Sequence, residues 1–220
     1  MPIWIGSYLN AYQNSAEFKK ENKPTMREDT HFAFWEYAGS NLAHYLMRDI
    51  PRKGTPEAED YERGQKAVTA KIESSALCNR IFLLADRDKK KDKKHELLRT
   101  IAKGRNNFIY YVTPCIEVEN LLSPTEIEAC LPKFLGKKTV PQIGLVQSDY
   151  KDVGIGTFLH QKHPADFPTG WAAKSGTLET DRKNRLCELA VKYIIWSSMS
   201  KEAKALAKSL YNFIALHNEL

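Results

Sequence analysis

Five acidic residues stand at or just after three short apolar runs of the sequence. Glu36 ends the first run, Asp86 and Asp88 follow the second, and Glu117 and Glu119 follow the third. In an extended segment, side chains two positions apart point the same way, so each pair can present two carboxylates to one place. Like charges at close range raise each other's pKa, and a divalent cation with oxygen ligands offsets that cost. The pattern predicts one or two Mg²⁺ or Mn²⁺ ions, which can activate water for phosphodiester cleavage.

Alternating strands and helices are the elements that would bring these acids together. Apolar runs at 31–36, 80–85 and 108–112 predict three buried strands, and the segments between them predict helices. This order is typical of an α/β fold with a parallel sheet and helices on both faces. The carboxyl ends of such strands share one edge, where ligands bind. We therefore expect the acids to form a single site.

The chain divides into three parts by composition. Residues 1–30 are polar and mixed and predict an irregular N-terminal segment, whereas 31–132 contain the alternating elements. Residues 133–220 begin rich in glycine, proline and lysine and end in amphipathic helices, which predicts a loop-rich and helical C-terminal extension. At the end of the second part, Ser123 and Glu126 have the spacing of a helix capping box.

Composition and charge limit the class of protein. The 220 residues are 42% hydrophobic and 27% charged, which excludes a disordered or fibrous chain. No apolar stretch reaches the roughly 20 residues that a transmembrane helix needs, and the N-terminus lacks the pattern of a signal peptide. The four cysteines are scattered and form no C-x-x-C pair, so we expect free thiols and a cytoplasmic protein without a membrane partner.

A basic excess favours a polyanionic partner. Lys and Arg total 33 against 27 Asp and Glu, a net charge of +6. A lysine-rich segment directly follows the second acidic pair, where it could contact the phosphate backbone of DNA. The predicted nucleic-acid-binding residues are Lys89, Lys90, Lys91, Lys93 and Lys94.

Three segments resemble the Toprim domain shared by topoisomerases, primases and the OLD (overcoming lysogenization defect) nucleases. FWEYAGSN at 34–41 resembles the strand-end glutamate and glycine turn, and LLADRD at 83–88 resembles the D-x-D strand. IEVENLL at 116–122 resembles the E-I-E-N-Y-L motif of the OLD nucleases, which is the most specific of the three. A further segment, SGTL at 175–178, resembles the region that follows the Toprim core in OLD-like proteins.

The resemblance implies a Toprim-like, or Rossmann-like, parallel sheet and a metal-dependent DNA endonuclease. Glu36, Asp86 and Asp88 would be catalytic and would bind metal together with Glu117 and Glu119. A lysine after the SGTL segment would assist catalysis, and Lys183 is the first choice, with Lys174 as the alternative. Asn120 would orient the loop that carries Glu119.

The resemblance also implies a biological setting, in bacterial defence against phage under the control of an ABC-type ATPase. The chain contains no G-x-x-x-x-G-K-[ST] motif, so the ATPase would be a separate subunit or part of a longer protein, unless the protein acts alone. A homo-oligomer is compatible with this setting.

Three alternatives remain open at the level of sequence. The same fold supports primase-like nucleotidyl transfer. A Toprim-like module with a degenerate site would be a non-catalytic nucleic-acid-binding or regulatory protein. A D-x-D sequence also ends a strand in phosphotransfer domains of the HAD or receiver type.

Overall fold

The computed structural model describes residues 2–34, 80–87, 92–142 and 144–219. Within these ranges two β-strands and seven α-helices are joined by turns and short 3-10 segments. The strands are β1 (Ile81–Ala85) and β2 (Phe108–Val112). The helices are α1 (Pro2–Gln13), α2 (Ala16–Lys20), α3 (Asp92–Ala102), α4 (Pro124–Leu135), α5 (Ile155–Lys162), α6 (Thr180–Ala190) and α7 (Lys201–His217).

The two strands pair in parallel, which confirms the predicted orientation. Ile81 lies opposite Phe108, and Ala85 lies opposite Val112 at the carboxyl ends of both strands. Parallel neighbours need a crossover segment between them, and helix α3 lies in the segment that connects β1 to β2. This helix packs against β2. The described part of the chain is thus mixed α/β with a small parallel sheet, and the Toprim arrangement stays a prediction.

The predicted first strand, 31–36, is described only as far as Phe34. Phe32 forms an isolated parallel β-bridge with Glu28. The residues on either side, as far as Phe34, do not extend this bridge into a strand. Glu36, at the end of the predicted strand, lies outside the described residues. The sequence prediction for the end of this segment is therefore neither met nor contradicted.

The N-terminal segment is helical, which corrects the prediction of an irregular segment over residues 1–30. Trp4, Tyr8 and Tyr12 are at most 2% exposed, because their spacing of four residues aligns them along one face of α1. Helix α1 packs against α7, where the rings of Tyr12 and Tyr211 meet edge to face at 5.6 Å. Ile5 and Leu9, which lie between these aromatic residues, are buried as well, so α1 is a largely buried apolar helix that the polar residues after it concealed in the average composition.

The C-terminal helices agree with the sequence prediction. Ser200 caps α7, because its Oγ accepts a hydrogen bond from the Ala203 N–H at 3.1 Å. The same hydroxyl donates to the Leu121 carbonyl at 2.6 Å, so the start of α7 is tied to the segment that follows β2. Leu206 and Leu210 are buried in the core between α7 and the rest of the molecule.

The predicted capping box opens α4 and is confirmed. The Ser123 hydroxyl accepts a hydrogen bond from the Glu126 N–H at 3.3 Å, and the Glu126 carboxylate accepts one from the Ser123 N–H at 2.8 Å. Glu126 is fully buried, and burial raises its pKa to about 7. Gly136 ends the helix in the left-handed conformation that glycine adopts without strain.

The described cysteines are free and buried, as expected. Burial raises the pKa of Cys115 and Cys187 to about 11 and that of Cys130 to about 12, so all three thiols stay protonated at neutral pH. Cys78 lies outside the described residues. Among the described helices, none is both long enough and apolar enough to cross a bilayer.

Stability should fall as the pH rises from about 4.5 to about 7, because folding favours the protonated form of Glu126 and the unfolded chain does not. Glu126→Gln keeps an oxygen for the Ser123 N–H and removes the titration. Urea unfolding should therefore show a shallower pH dependence for Glu126→Gln, by as much as roughly 3 kcal/mol across this window. Glu188→Gln, at an exposed position, should follow the wild type, and an unchanged slope for Glu126→Gln would contradict the expectation.

Candidate active site

The segment that follows β2, residues 113–122, forms the centre of the candidate site and is called here the acidic loop. It carries Glu117 and Glu119 and contains a 3-10 turn at Val118–Leu121. The loop lies in the interior, with Glu117 at 5% exposure and Glu119 at 0%. Carboxylates are rarely buried to this degree unless they have a partner, so the contacts of the loop decide its chemistry.

Asn120 holds the acidic loop against the segment that precedes α5. Its amide nitrogen donates to the Val153 carbonyl at 2.9 Å and to the Tyr150 carbonyl. Its amide oxygen accepts a hydrogen bond from the Glu117 N–H at 3.2 Å. A buried side chain that satisfies two carbonyls and one N–H is well suited to fix a loop, and this agrees with the role expected for Asn120.

Asp86 joins the two strand ends. It directly follows β1, and its Oδ1 accepts a hydrogen bond from the Val118 N–H at 2.8 Å. The main chain between the two buried glutamates is therefore anchored to the carboxylate that follows the neighbouring strand. Parallel pairing of β1 and β2 brings these segments to the same edge of the sheet, as the sequence predicted.

Glu117 lies at the N-terminus of α5. The Ile155 N–H, in the first turn of that helix, donates a hydrogen bond to its carboxylate. Burial, reinforced by the negative charges of Glu119 and Asp86, nevertheless raises the pKa of Glu117 to about 7. The Lys183 ammonium and the N–H at the helix N-terminus lower the pKa of Glu117 and offset part of this rise. Glu117 can thus change its protonation state near neutral pH.

Glu119 forms an ion pair with Lys183 of α6, with 2.7 Å between the Lys183 Nζ and the Glu119 Oε1. Burial raises the pKa of Glu119, and the lysine offsets part of that rise. Burial lowers the pKa of Lys183, but the charges of Glu119, Glu117 and Asp86 together hold it above its usual value. Lys183 therefore carries a positive charge that contacts Glu119 and interacts electrostatically with Glu117 and Asp86.

Two carboxylate oxygens in this site have neither a hydrogen-bond partner nor an ion-pair partner among the described residues: the Glu117 Oε2 and the Glu119 Oε2. Both atoms are buried, and a buried oxygen without a partner is costly. Hard oxygen donors in this state are the ligands that Mg²⁺ and Mn²⁺ accept. By their chemistry, these oxygens of Glu117 and Glu119 are suited to a divalent cation. Across the described ranges, however, no three His, Cys, Asp or Glu side chains lie close enough to form a metal cage.

Most of the remaining predicted site residues fall outside the described part of the chain. Glu36 and Asp88 fall outside the described residues, and so do Lys89, Lys90 and Lys91. Lys93 and Lys94 lie in the first turn of α3. Lys174, the alternative to Lys183, is exposed. Of the predicted metal ligands and the predicted catalytic lysine, Asp86, Glu117, Glu119 and Lys183 are linked by contacts within or to the acidic loop.

Two glycines that sequence reasoning left without a role shape the site. A Cβ atom on Gly154 would lie 2.4 Å from the Gly176 carbonyl oxygen, and one on Gly156 would lie 2.6 Å from the Thr177 carbonyl oxygen. Residues 175–178, the SGTL segment, therefore pack directly on the N-terminus of α5, which holds Glu117. The only signal in the sequence was the spacing G-I-G itself, which indicates close backbone approach as readily as a ligand site.

Comparison of the chain with protein-family models, with curated proteins and with solved structures finds no match. The geometry of the site and the sequence motifs therefore carry the functional interpretation.

Gly154→Ala should destabilise the protein by about 1–3 kcal/mol, because the new methyl group must displace backbone rather than a flexible side chain. The shift should also loosen the contact between the Ile155 N–H and Glu117. Urea unfolding measures the first effect, and hydrogen exchange of the Ile155 amide measures the second.

Gly170→Ala is the matched control, because a Cβ atom on Gly170 would meet nothing within 4 Å. It should stay within about 0.5 kcal/mol of the wild type. Equal stability of the two variants would show that the close approach at Gly154 does not constrain the fold.

Proposed function

We propose that this protein is a divalent-metal-dependent nuclease that hydrolyses phosphodiester bonds in DNA. The observation that carries the proposal is the burial of Glu117 and Glu119, each with an oxygen that no described donor satisfies, beside the Lys183 ammonium. Buried charges with shifted pKa values at the carboxyl edge of a parallel sheet are typical of catalytic sites. Stability alone does not favour such an arrangement, because apolar residues would fill the same space at lower cost.

Each described residue has a distinct role in this proposal. Glu117, Glu119 and Asp86 would hold the metal, together with the predicted ligands Glu36 and Asp88. The bound metal would act as a Lewis acid and lower the pKa of a water molecule that attacks phosphorus.

The protein's contribution is to position these groups. The Val118 N–H orients Asp86, and the Ile155 N–H orients Glu117. Lys183 would place its positive charge near the phosphate, where negative charge develops during the reaction.

The resemblance to the Toprim domain of the OLD nucleases supports the wider setting of the proposal. It favours a Toprim-like fold, control by an ABC-type ATPase and a role in bacterial antiviral defence in the cytoplasm. The lysine-rich segment before and within the start of α3 would contact the DNA backbone, and its contribution to affinity would fall with salt.

A second candidate is a non-catalytic module that binds nucleic acid or regulates a partner. The ion pair between Lys183 and Glu119 favours it, because the lysine already supplies a positive charge to the buried carboxylate. Primase-like nucleotidyl transfer, the third possibility, would use the same carboxylates. These candidates differ in whether DNA is cut, bound without change or extended.

Asp86→Asn tests the proposal sharply. The carboxamide keeps an oxygen for the Val118 N–H but removes the charge that a metal would need. Incubation of the full chain with supercoiled plasmid and Mn²⁺ should show nicking or linearisation by the wild type. Cleavage by Asp86→Asn should be at least about 100-fold slower.

Asp181→Asn, an exposed change of the same kind on α6, should cut like the wild type. Removal of the metal with EDTA should stop cleavage by all variants. Wild-type rates for Asp86→Asn, or an uncut plasmid, would argue against a nuclease. An uncut plasmid that shifts in a gel would favour the binding module, and incorporation of nucleotides on a primed template would favour the transferase.

A further inference from the structure

Access to Glu119 is restricted by a side chain that can move. Glu119 has no exposed surface, so a cation from solvent cannot reach its carboxylate unless a neighbouring group leaves. Lys183 both touches this carboxylate and reaches solvent, with 29% of its side chain exposed. Its ammonium sits on a flexible four-carbon stem and can withdraw without a change in the backbone. Lys183 therefore lies between the buried carboxylate and the surface.

The charges also indicate that Lys183 occupies the position of a cation. Its ammonium interacts favourably with Glu119, Glu117 and Asp86, the same three carboxylates proposed to hold a metal. It contacts one oxygen of Glu119, whereas the second oxygen and the Glu117 Oε2 stay without a hydrogen-bond partner. A single ammonium thus compensates the site incompletely. A divalent cation has twice the charge and binds several oxygens at once.

We propose that Lys183 is the resident counter-cation of this site and that a divalent metal ion must displace it from Glu119 in order to bind. This inference rests on the proposed metal site and adds how binding of the metal to that site is regulated. The ion pair keeps the buried carboxylate compensated in the absence of metal. The released ammonium is then free to contact a phosphate of the substrate.

The first test uses the wild-type chain and needs no substitution. Surface lysines are acetylated with an amine-reactive ester, and the labelling rate of each lysine is read by mass spectrometry with and without Mg²⁺. Labelling of Lys183 should rise severalfold on addition of Mg²⁺, because release from Glu119 exposes the amine. Lys192, which is exposed just beyond α6, is the internal reference and should not change. Equal ionic strength is kept with NaCl.

The second test measures Mn²⁺ affinity directly by calorimetry. Lys183→Met keeps the length of the stem and removes the charge, so it should bind Mn²⁺ about tenfold more tightly than the wild type or better. Lys192→Met is the matched control and should bind like the wild type. Circular dichroism verifies that each variant is folded. If Lys183→Met does not fold, the labelling of Lys183 in the wild-type chain alone tests whether the metal displaces the lysine.

The outcomes separate this inference from the proposed function. Unchanged Lys183 labelling under saturating Mg²⁺, or unchanged or weaker Mn²⁺ binding by Lys183→Met, would overturn displacement while plasmid cleavage still supported a nuclease. Metal-induced labelling with tighter binding by Lys183→Met would support displacement even if no plasmid were cut. Absence of Mn²⁺ binding in both proteins would overturn the inference and the metal-dependent function together.

Discussion

The ion pair between Lys183 and Glu119 connects the acidic loop to a helix from the C-terminal part of the chain. Glu119 belongs to the acidic loop after β2, whereas Lys183 belongs to α6, close to the C-terminus. An ionised carboxylate withdrawn from water requires a compensating partner. Removal of one member of a buried ion pair is strongly destabilising, because the other charge is left buried and uncompensated. The placement of α6, which packs on α4 and reaches the acidic loop through Lys183, is therefore an electrostatic requirement as well as a matter of packing.

The elements around the acidic loop supply the remaining compensation through backbone N–H groups. The Val118 N–H meets Asp86, and the Ile155 N–H at the start of α5 meets Glu117. The second contact depends on the glycines of the G-I-G sequence, since a side chain at Gly154 would collide with the backbone at Gly176. A helix N-terminus placed this close to a carboxylate partly offsets the cost of burial. The loop between α5 and α6 thus packs on the helix N-terminus that contacts Glu117.

Acidic and basic side chains of the described residues differ in burial. Glu117, Glu119 and Glu126 are buried, whereas the lysines and arginines whose burial is described are half-buried or exposed. Attraction of DNA to basic surface residues and of a cation to the buried carboxylates would therefore draw on different residues. In the proposed function the two meet at Lys183, which compensates Glu119 before a metal binds and would contact phosphate afterwards.

Several local features follow from the sequence alone. The apolar runs fixed β1 and β2, their order predicted parallel pairing, and the capping box at Ser123 and Glu126 set the start of α4. It also indicated the carboxylates Asp86, Glu117 and Glu119, because strand ends in a parallel sheet converge. These features depend on contacts close in sequence or on the regular geometry of strands, so a pattern can report them.

The remaining features depend on contacts between segments far apart in the chain. Residues 1–30 looked irregular in composition, yet α1 becomes a core helix because α7 provides a surface for its aromatic face. The motif resemblance suggested Lys183, but only folding shows that it touches Glu119. The burial of that carboxylate and the close approach at Gly154 likewise depend on segments far apart in the chain. Desolvation is a property of the assembled surroundings, so no local pattern of residues can report it.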